Sequence, residues 1–232
     1  TEIVQDGAGG AKVGILRFDF DGRVKNAIWE NPWVDETVEV NEGIQSYLDD
    51  YVTQYDYLLN QPVGVSLVAL DARRATCRGN ESNLGNLFTD SWMDWFQSLG
   101  TQVDLALMNG GGIRGDRIYP AGPITYKDLF EMHPFGAVII QLEATGEQLM
   151  QILEISASAL KVAGDGCPEE NRAPDGGFLQ MSGLRIEINT TQPCFCAEYV
   201  GREVSEIFSQ GKRITRAEVF LENTWVALNP LE

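Results

Sequence analysis

Runs of apolar residues along this chain follow two periods, one suited to strands and one to helices. Val13–Phe20 and Arg23–Trp29 flank Asp21-Gly22, a dipeptide suited to a tight turn, so the stretch predicts a β-hairpin. Asn31-Pro32 ends it, and residues 33–41 read as a polar, acidic linker. Between Asn41 and Asn60, apolar residues such as Ile44, Tyr47, Leu48, Tyr51, Tyr55 and Leu58 recur three or four apart, the mark of an amphipathic helix. Gln61–Gly64 stops that helix, and Val65–Leu70 reads as a strand. Asn83–Leu99 predicts a second helix with Leu84, Leu87, Phe88, Trp92, Trp95 and Phe96 as its core-facing stripe. Val103–Met108 reads as a buried strand. Thr125 can cap a short helix to about Met132, and Thr145 one from Gly146 to about Leu160. Val138–Leu142, Leu184–Ile188 and Arg216–Leu221 read as strands, and Asp165–Gly177 as a Gly/Pro/Asp-rich loop. There is no internal repeat and no low-complexity tract.

Composition narrows what such a chain binds. With 232 residues and 44% hydrophobic content it can bury a proper core. The 34 acidic against 17 basic residues give a net charge of −17, which argues against nucleic-acid backbones and anionic membrane surfaces as partners. An anionic small molecule fits only where arginines converge. No apolar run approaches a membrane span, and no signal peptide is visible at Thr1, so a mature or trimmed N-terminus is expected. Cys77, Cys167, Cys194 and Cys196 allow several pairings. Cys194 and Cys196 are too close to bond each other comfortably, so one or both are expected to pair with Cys77 or Cys167. Two glycosylation sequons, at Asn80 and Asn189, and this cysteine usage fit an exported protein.

The chemistry concentrates after the Val103–Met108 run, where residues 109–114 read Asn-Gly-Gly-Gly-Ile-Arg. Consecutive glycines let a backbone bend sharply and approach a ligand, and their bare N–H groups can line an anion or a ring edge. Asn109 offers a donor and an acceptor, and Arg114 a planar, always-charged fork. The only histidine, His133, reads as packing before Pro134-Phe135. Asp128 and Glu131 have no second acid at useful spacing and read as solvated charges.

These runs occur in a fixed order: Arg-Gly-Asn-Glu-Ser-Asn-Leu-Gly-Asn-Leu over 78–87, Met-Asn-Gly-Gly-Gly-Ile-Arg over 108–114, Pro-Ala-Gly-Pro-Ile-Thr-Tyr over 120–126 and His-Pro-Phe-Gly over 133–136. The series, strongest from about Pro62 to Ile155, resembles the C-terminal domain of the 5'-nucleotidase and UDP-sugar hydrolase family. The resemblance implies an α+β fold, a mixed sheet flanked by helices and preceded by a β-hairpin and a linking helix. Residues 1–32 then correspond to the last strands of a metallophosphatase domain, 33–61 to the linker and linking helix, and 62–232 to the C-terminal-like domain. The resemblance also implies a final segment with a second aromatic ring and a Gly-Gly-Asp-Gly run, a run that does not occur in the 232 residues, so this segment is expected to be lacking.

Carried over residue by residue, Phe135 aligns with a base-stacking ring, Arg78 and Arg114 with substrate-binding arginines, and Asn109 with a nucleoside contact, with Gly111 and Gly112 beside them. Arg74 is a weaker match and reads better as a surface charge. Asn83, Gly85, Asn86 and Asp90 read as structural, with an asparagine near the helix start serving its free N–H groups. The family's two divalent cations, zinc or similar, are bound by motifs such as Asp-x-His and Gly-Asn-His-Glu, none of which occurs here. No catalytic or metal-binding residue is therefore expected in these residues. The implied partners are a nucleotide or nucleoside, an N-terminal metallophosphatase domain toward which the substrate is carried by domain rotation, and a second copy in a homodimer. The implied location is extracellular, cell-surface or periplasmic. The alternative is a non-catalytic structural or binding module in an extracellular assembly.

Overall fold

A computed structural model describes residues 12–201 and 203–228. The chain divides into two compact units, with the boundary along the sequence between Tyr57 and Leu58. In the first, β1 (Ile15–Phe20) and β2 (Val24–Glu30) form the expected antiparallel hairpin. Gly22 takes a positive φ of 69° at its turn, where a side chain would be strained. Helix α1 (Glu42–Leu59) begins where Asn41 Oδ1 accepts the Ile44 amide at 3.1 Å, and the Tyr47 and Tyr51 rings meet on one face at 4.9 Å. Among the described residues of this unit none is buried. Phe18, Phe20, Ile28, Ile44 and Val52 all stand exposed.

The second unit runs through β3 (Pro62–Ser66), β4 (Leu70–Asp71), α2 (Arg74–Cys77), α3 (Asn83–Ser98), β5 (Ala106–Asn109), β6 (Ile118–Tyr119), β7 (Gly122–Thr125), α4 (Tyr126–Met132) and α5 (Gly146–Ser158). It ends in β8 (Leu179–Ser182), β9 (Leu184–Ile188), β10 (Phe195–Val200), β11 (Glu203–Gln210), β12 (Ile214–Leu221) and β13 (Thr224–Ala227). The α+β class is as expected. Among the described residues the strands pair antiparallel in small groups, β3 with β7, β4 with β6, β5 with β8, β10 with β11, and β12 between β9 and β13.

Both threonine caps form. The hydroxyls of Thr125 and Thr145 accept the amides of Asp128 and Gln148, and those side chains bond back to the threonine amides, two capping boxes that set where α4 and α5 begin. Three expectations are corrected. Val65–Leu70 is not one strand, because a turn with Ser66 Oγ bonded to Val68 O splits it into β3 and β4. Val138–Leu142 is in no strand. It finds no pairing partner among the described residues, and Val138, Ile140 and Leu142 point to solvent. In the α3 stripe Trp92 packs on the core, whereas Trp95 is exposed.

One core gathers Leu70, Cys77, Leu84, Met108, Ile113 and Met132 under α3 and α4, and another packs Leu149, Leu153 and Ala157 of α5 on Leu184, Ile214 and Val219. The 165–177 loop is held in place by chemistry. Asp165 pairs with Arg172 at 2.7 Å and with Arg213 at 2.8 Å, all three side chains being 6% exposed or less. Arg213 also donates to the carbonyls of Ala157, in the last turn of α5, and of Leu160 just beyond it. Cys167 forms a disulfide with Cys196, one of the expected pairings, while Cys77 and Cys194 are free, buried thiols.

Candidate functional site

Strand β5 delivers the chain to a 3₁₀ turn, Gly110–Gly112. The Gly110 amide donates to Phe178 O at 2.6 Å, and a Cβ at Gly110 would collide with the Cys77 carbonyl. A Cβ at Gly111 would lie 3.0 Å from Gly176 Cα. Backbone-to-backbone packing therefore requires glycine at the first of the three positions most of all, ahead of the candidate ligand contacts Gly111 and Gly112. What presses on the turn is the 165–177 loop, whose 3₁₀ turn Asp175–Gly177 lies against it.

That loop organises the other side of the site. Arg78 stands at the C-cap of α2 with a side chain 12% exposed, and its Nη1 donates to Asp175 Oδ1 at 2.9 Å. Arg74, one turn earlier, donates Nη2 to Asp175 Oδ2 at 2.6 Å. It is exposed as expected, yet it shares the carboxylate of Arg78 and so belongs to the site. The two guanidiniums, Arg74's hydrogen bond first, hold the Asp175 carboxyl below the usual carboxylate range. Arg78 Nε is buried and has no hydrogen-bond partner among the described residues. Gly176 O accepts from Asn109 Nδ2 at 3.3 Å. Arg78, Asn109 and Gly111 are thus brought together around two consecutive loop residues, Asp175 and Gly176.

Arg114 and Phe135 form a second pair. The Arg114 amide donates to Met132 O at 2.8 Å, which ties the end of the glycine run to the end of α4. Its guanidinium carbon lies 4.8 Å from the centroid of the Phe135 ring, a cation–π contact, and the ring is 57% exposed. An exposed aromatic face beside a guanidinium can stack a flat heteroaromatic ring and bond its polar edge or an attached hydroxyl.

Gln180 is a residue that motif reading missed. It is buried on β8, donates Nε2 to Cys77 O at 3.0 Å and to Asn80 O at 2.8 Å, and accepts the Ser82 amide at 2.9 Å. It thereby fixes the turn that carries Arg78. Gly85 makes room for it, since a Cβ there would come 2.5 Å from its side chain. Ser82 caps α3, its hydroxyl accepting the Gly85 amide. Asn83, expected to serve the helix N–H groups, instead bonds β4, accepting the Asp71 amide and donating to Ala69 O. Asp90 accepts from Ser182 Oγ, a structural contact as expected.

Residues 59–229 match the family described as 5'-nucleotidase, C-terminal domain. The chain belongs to this family. It is 31% identical over 172 residues to the trifunctional nucleotide phosphoesterase protein YfkN of Bacillus subtilis, an alignment covering 68% of this chain and 12% of that protein. It is 25% identical over 194 residues to human 5'-nucleotidase, covering 79% and 32% of the two. The crystal structure of a 5'-nucleotidase precursor from Thermus thermophilus superposes with a TM-score of 0.62 at 29% identity, over 95% of this chain and 38% of that one. The chain therefore spans well under half the length of these relatives.

In this 5'-nucleotidase C-terminal domain the carboxylates of α4 do structural work. Asp128 closes the capping box, and Glu131 takes Arg117 at 2.6 Å, a partner that the reading as a solvated charge did not include. His133 packs against the Phe88 ring at 5.7 Å, as its placement before Pro134 suggested. It borders an open, largely apolar cavity of about 360 Å³ with Phe88, Trp92, Tyr126 and Ile139, and none of the six predicted ligand-contacting residues lines it. Among the described residues no three His, Cys, Asp or Glu side chains converge as a metal-binding group, so the donor set here does not fit the two cations the resemblance implies.

Proposed function

We propose that this chain is the nucleotide-recognition part of a longer, metal-dependent phosphohydrolase that cleaves nucleoside 5'-monophosphates to nucleoside and phosphate, with UDP-sugars or cyclic nucleotides as alternative substrates. The observation that carries the reading is the exposed Phe135 ring with Arg114 against it, next to the glycine turn, in a 5'-nucleotidase C-terminal domain. In this reading the base stacks on Phe135, Asn109 and the amides of Gly111 and Gly112 meet its polar edge, and the arginines engage the remainder of the nucleotide. The residues of this chain bind and orient, and the two divalent cations that would activate water are assigned to an N-terminal metallophosphatase domain. The uncovered apolar residues of β1, β2 and α1 support a packed partner of that kind.

The proposed location is extracellular, cell-surface or periplasmic. The Cys167–Cys196 disulfide supports it, as does similarity to a snake venom 5'-nucleotidase of Naja atra, 27% identical over 204 residues. Among the described residues no helix is long and apolar enough to cross a membrane.

Phe135→Ala tests the reading. Loss of one stacking ring, worth about 1–3 kcal/mol per base, is expected to weaken AMP binding to the chain about 5- to 150-fold in titration calorimetry. Unchanged affinity would remove Phe135 from the site.

A further inference from the structure

Asp175 puts a carboxylate between two arginines, where it competes with any anionic ligand for them. It lies between two arginines, 97 and 101 residues away in sequence, and bonds both. Its position is set from both sides. Upstream, the buried Asp165–Arg172–Arg213 group and the Cys167–Cys196 disulfide hold the loop, and the Ala173 amide donates to Ser158 Oγ at 3.1 Å. Downstream, the Gly110 amide takes Phe178 O, and the Leu179 amide donates to Ser156 Oγ at 2.9 Å. A charge anchored this way is part of the site and not a side chain free to swing aside. A second carboxylate, Asp116, faces the same helix and accepts the Arg74 amide at 2.7 Å.

The consequence is electrostatic. Arg74 and Arg78 alone would present two positive charges. With Asp175 between them they present one, and Asp116 beside Arg74 reduces it further. A phosphate monoester carries about −1.5 to −2 at neutral pH, so it gains from the arginines and is repelled by the carboxylate. A hydroxyl or a singly charged phosphodiester suffers less of that repulsion.

We propose that Asp175 is a specificity-determining residue: a fixed counter-charge that lowers the anion affinity of the Arg74–Arg78 pair and makes it select ligand groups of low charge, such as ribose hydroxyls or a phosphodiester, over a doubly charged phosphate. This deepens the nucleotide-recognition reading and rests on it for its biological sense, because it puts the ribose side of the ligand at these arginines and the terminal phosphate outside them.

The test titrates inorganic phosphate into the isotopically labelled 232-residue chain and follows the Arg78 Nε–Hε signal by NMR. Asp175→Asn is expected to bind phosphate about five-fold tighter or more than wild type, the effect of deleting one unit charge a few ångström away at a partly exposed site, with a steeper loss on adding salt. Asp175→Glu keeps the charge and is expected to stay within about two-fold of wild type. Arg74→Gln alters an exposed side chain only, and leaves Asp175 to neutralise Arg78, so phosphate binding is expected to fall about five-fold or more. The proposal is overturned if Asp175→Asn binds phosphate no tighter, if Asp175→Glu behaves like Asp175→Asn, or if Arg74→Gln changes nothing. Adenosine titrated in parallel and read at Phe135 reports on nucleoside recognition separately. Its failure to bind would sink the nucleotide reading while the phosphate series still decides the role of Asp175.

Discussion

Replacing Asp165 by Ala is expected to cost about 3–5 kcal/mol of folding stability, among the largest effects of any single change in this domain. The carboxylate answers two arginines at once, and Arg213 is fully buried while Arg172 is 6% exposed. Removing it strands both guanidiniums in a site that water does not reach, and the desolvation cost of each charge is then uncompensated. The same pairing makes the loop sensitive to acid. Arg172 and Arg213 hold the Asp165 carboxyl far below the usual range. The unfolded chain protonates an aspartate near pH 3.9. Above that pH the group is ionised in both states and the pairing contributes in full. As pH falls from about 4 toward the depressed folded value, the unfolded state takes up the proton first and that contribution is lost. Chemical denaturation of wild type and Asp165→Ala should therefore differ most near neutral pH and converge below about pH 4. A gap that stays constant across this range would mean that the ion pair is not what Asp165 contributes.

Gln180→Leu is expected to remove about 2–4 kcal/mol, although the side chains are close in size. The amide serves two carbonyls and one N–H of the turn between Cys77 and Ser82, and all three lose their partner at once in an interior that offers no substitute. Because that turn carries Arg78, the damage should also be functional. Phosphate affinity at Arg74 and Arg78 should fall, while stacking of a nucleoside on Phe135 stays near wild type, since the α4 terminus that carries Phe135 is held separately through the Arg114 amide and Met132 O. Denaturant midpoints read the first effect, and paired phosphate and adenosine titrations read the second. Equal losses for both ligands would show that Gln180 supports the domain as a whole and not the arginine turn.

What was legible in the sequence follows the reach of each signal. The caps of α4 and α5, the Asp-Gly hairpin and the glycine run after β5 are encoded within a few residues, and each lies where the local pattern puts it. Arg78, Asn109, Arg114 and Phe135 are marked as candidates by ordered motifs, and the fold sets Arg78 and Asn109 against Asp175 and Gly176 and Arg114 against the Phe135 ring. Interactions between distant positions were not legible. Nothing near Asp175 announces Arg78, nothing near Arg213 announces Asp165, and Gln180 reads as an ordinary strand residue until it is seen to hold the arginine turn. Val138–Leu142 failed for the opposite reason. Its composition is that of a strand, but strand formation needs a neighbour, and composition does not supply one. β11 was missed because all but one of its residues are exposed and its apolar Val204, Ile207 and Phe208 follow no strict alternation, and without it the apolar start of β10 has no visible hairpin partner.

The measurement that tests the central claim most directly is an NMR titration of AMP into the labelled chain with backbone and side-chain assignments. The account predicts saturable shift changes at Asn109, Gly111, Gly112, Arg114 and the Phe135 ring, extending to the Arg78 side chain. Shift changes confined to the apolar cavity around Phe88, Trp92 and Tyr126, or none at millimolar AMP, would contradict it.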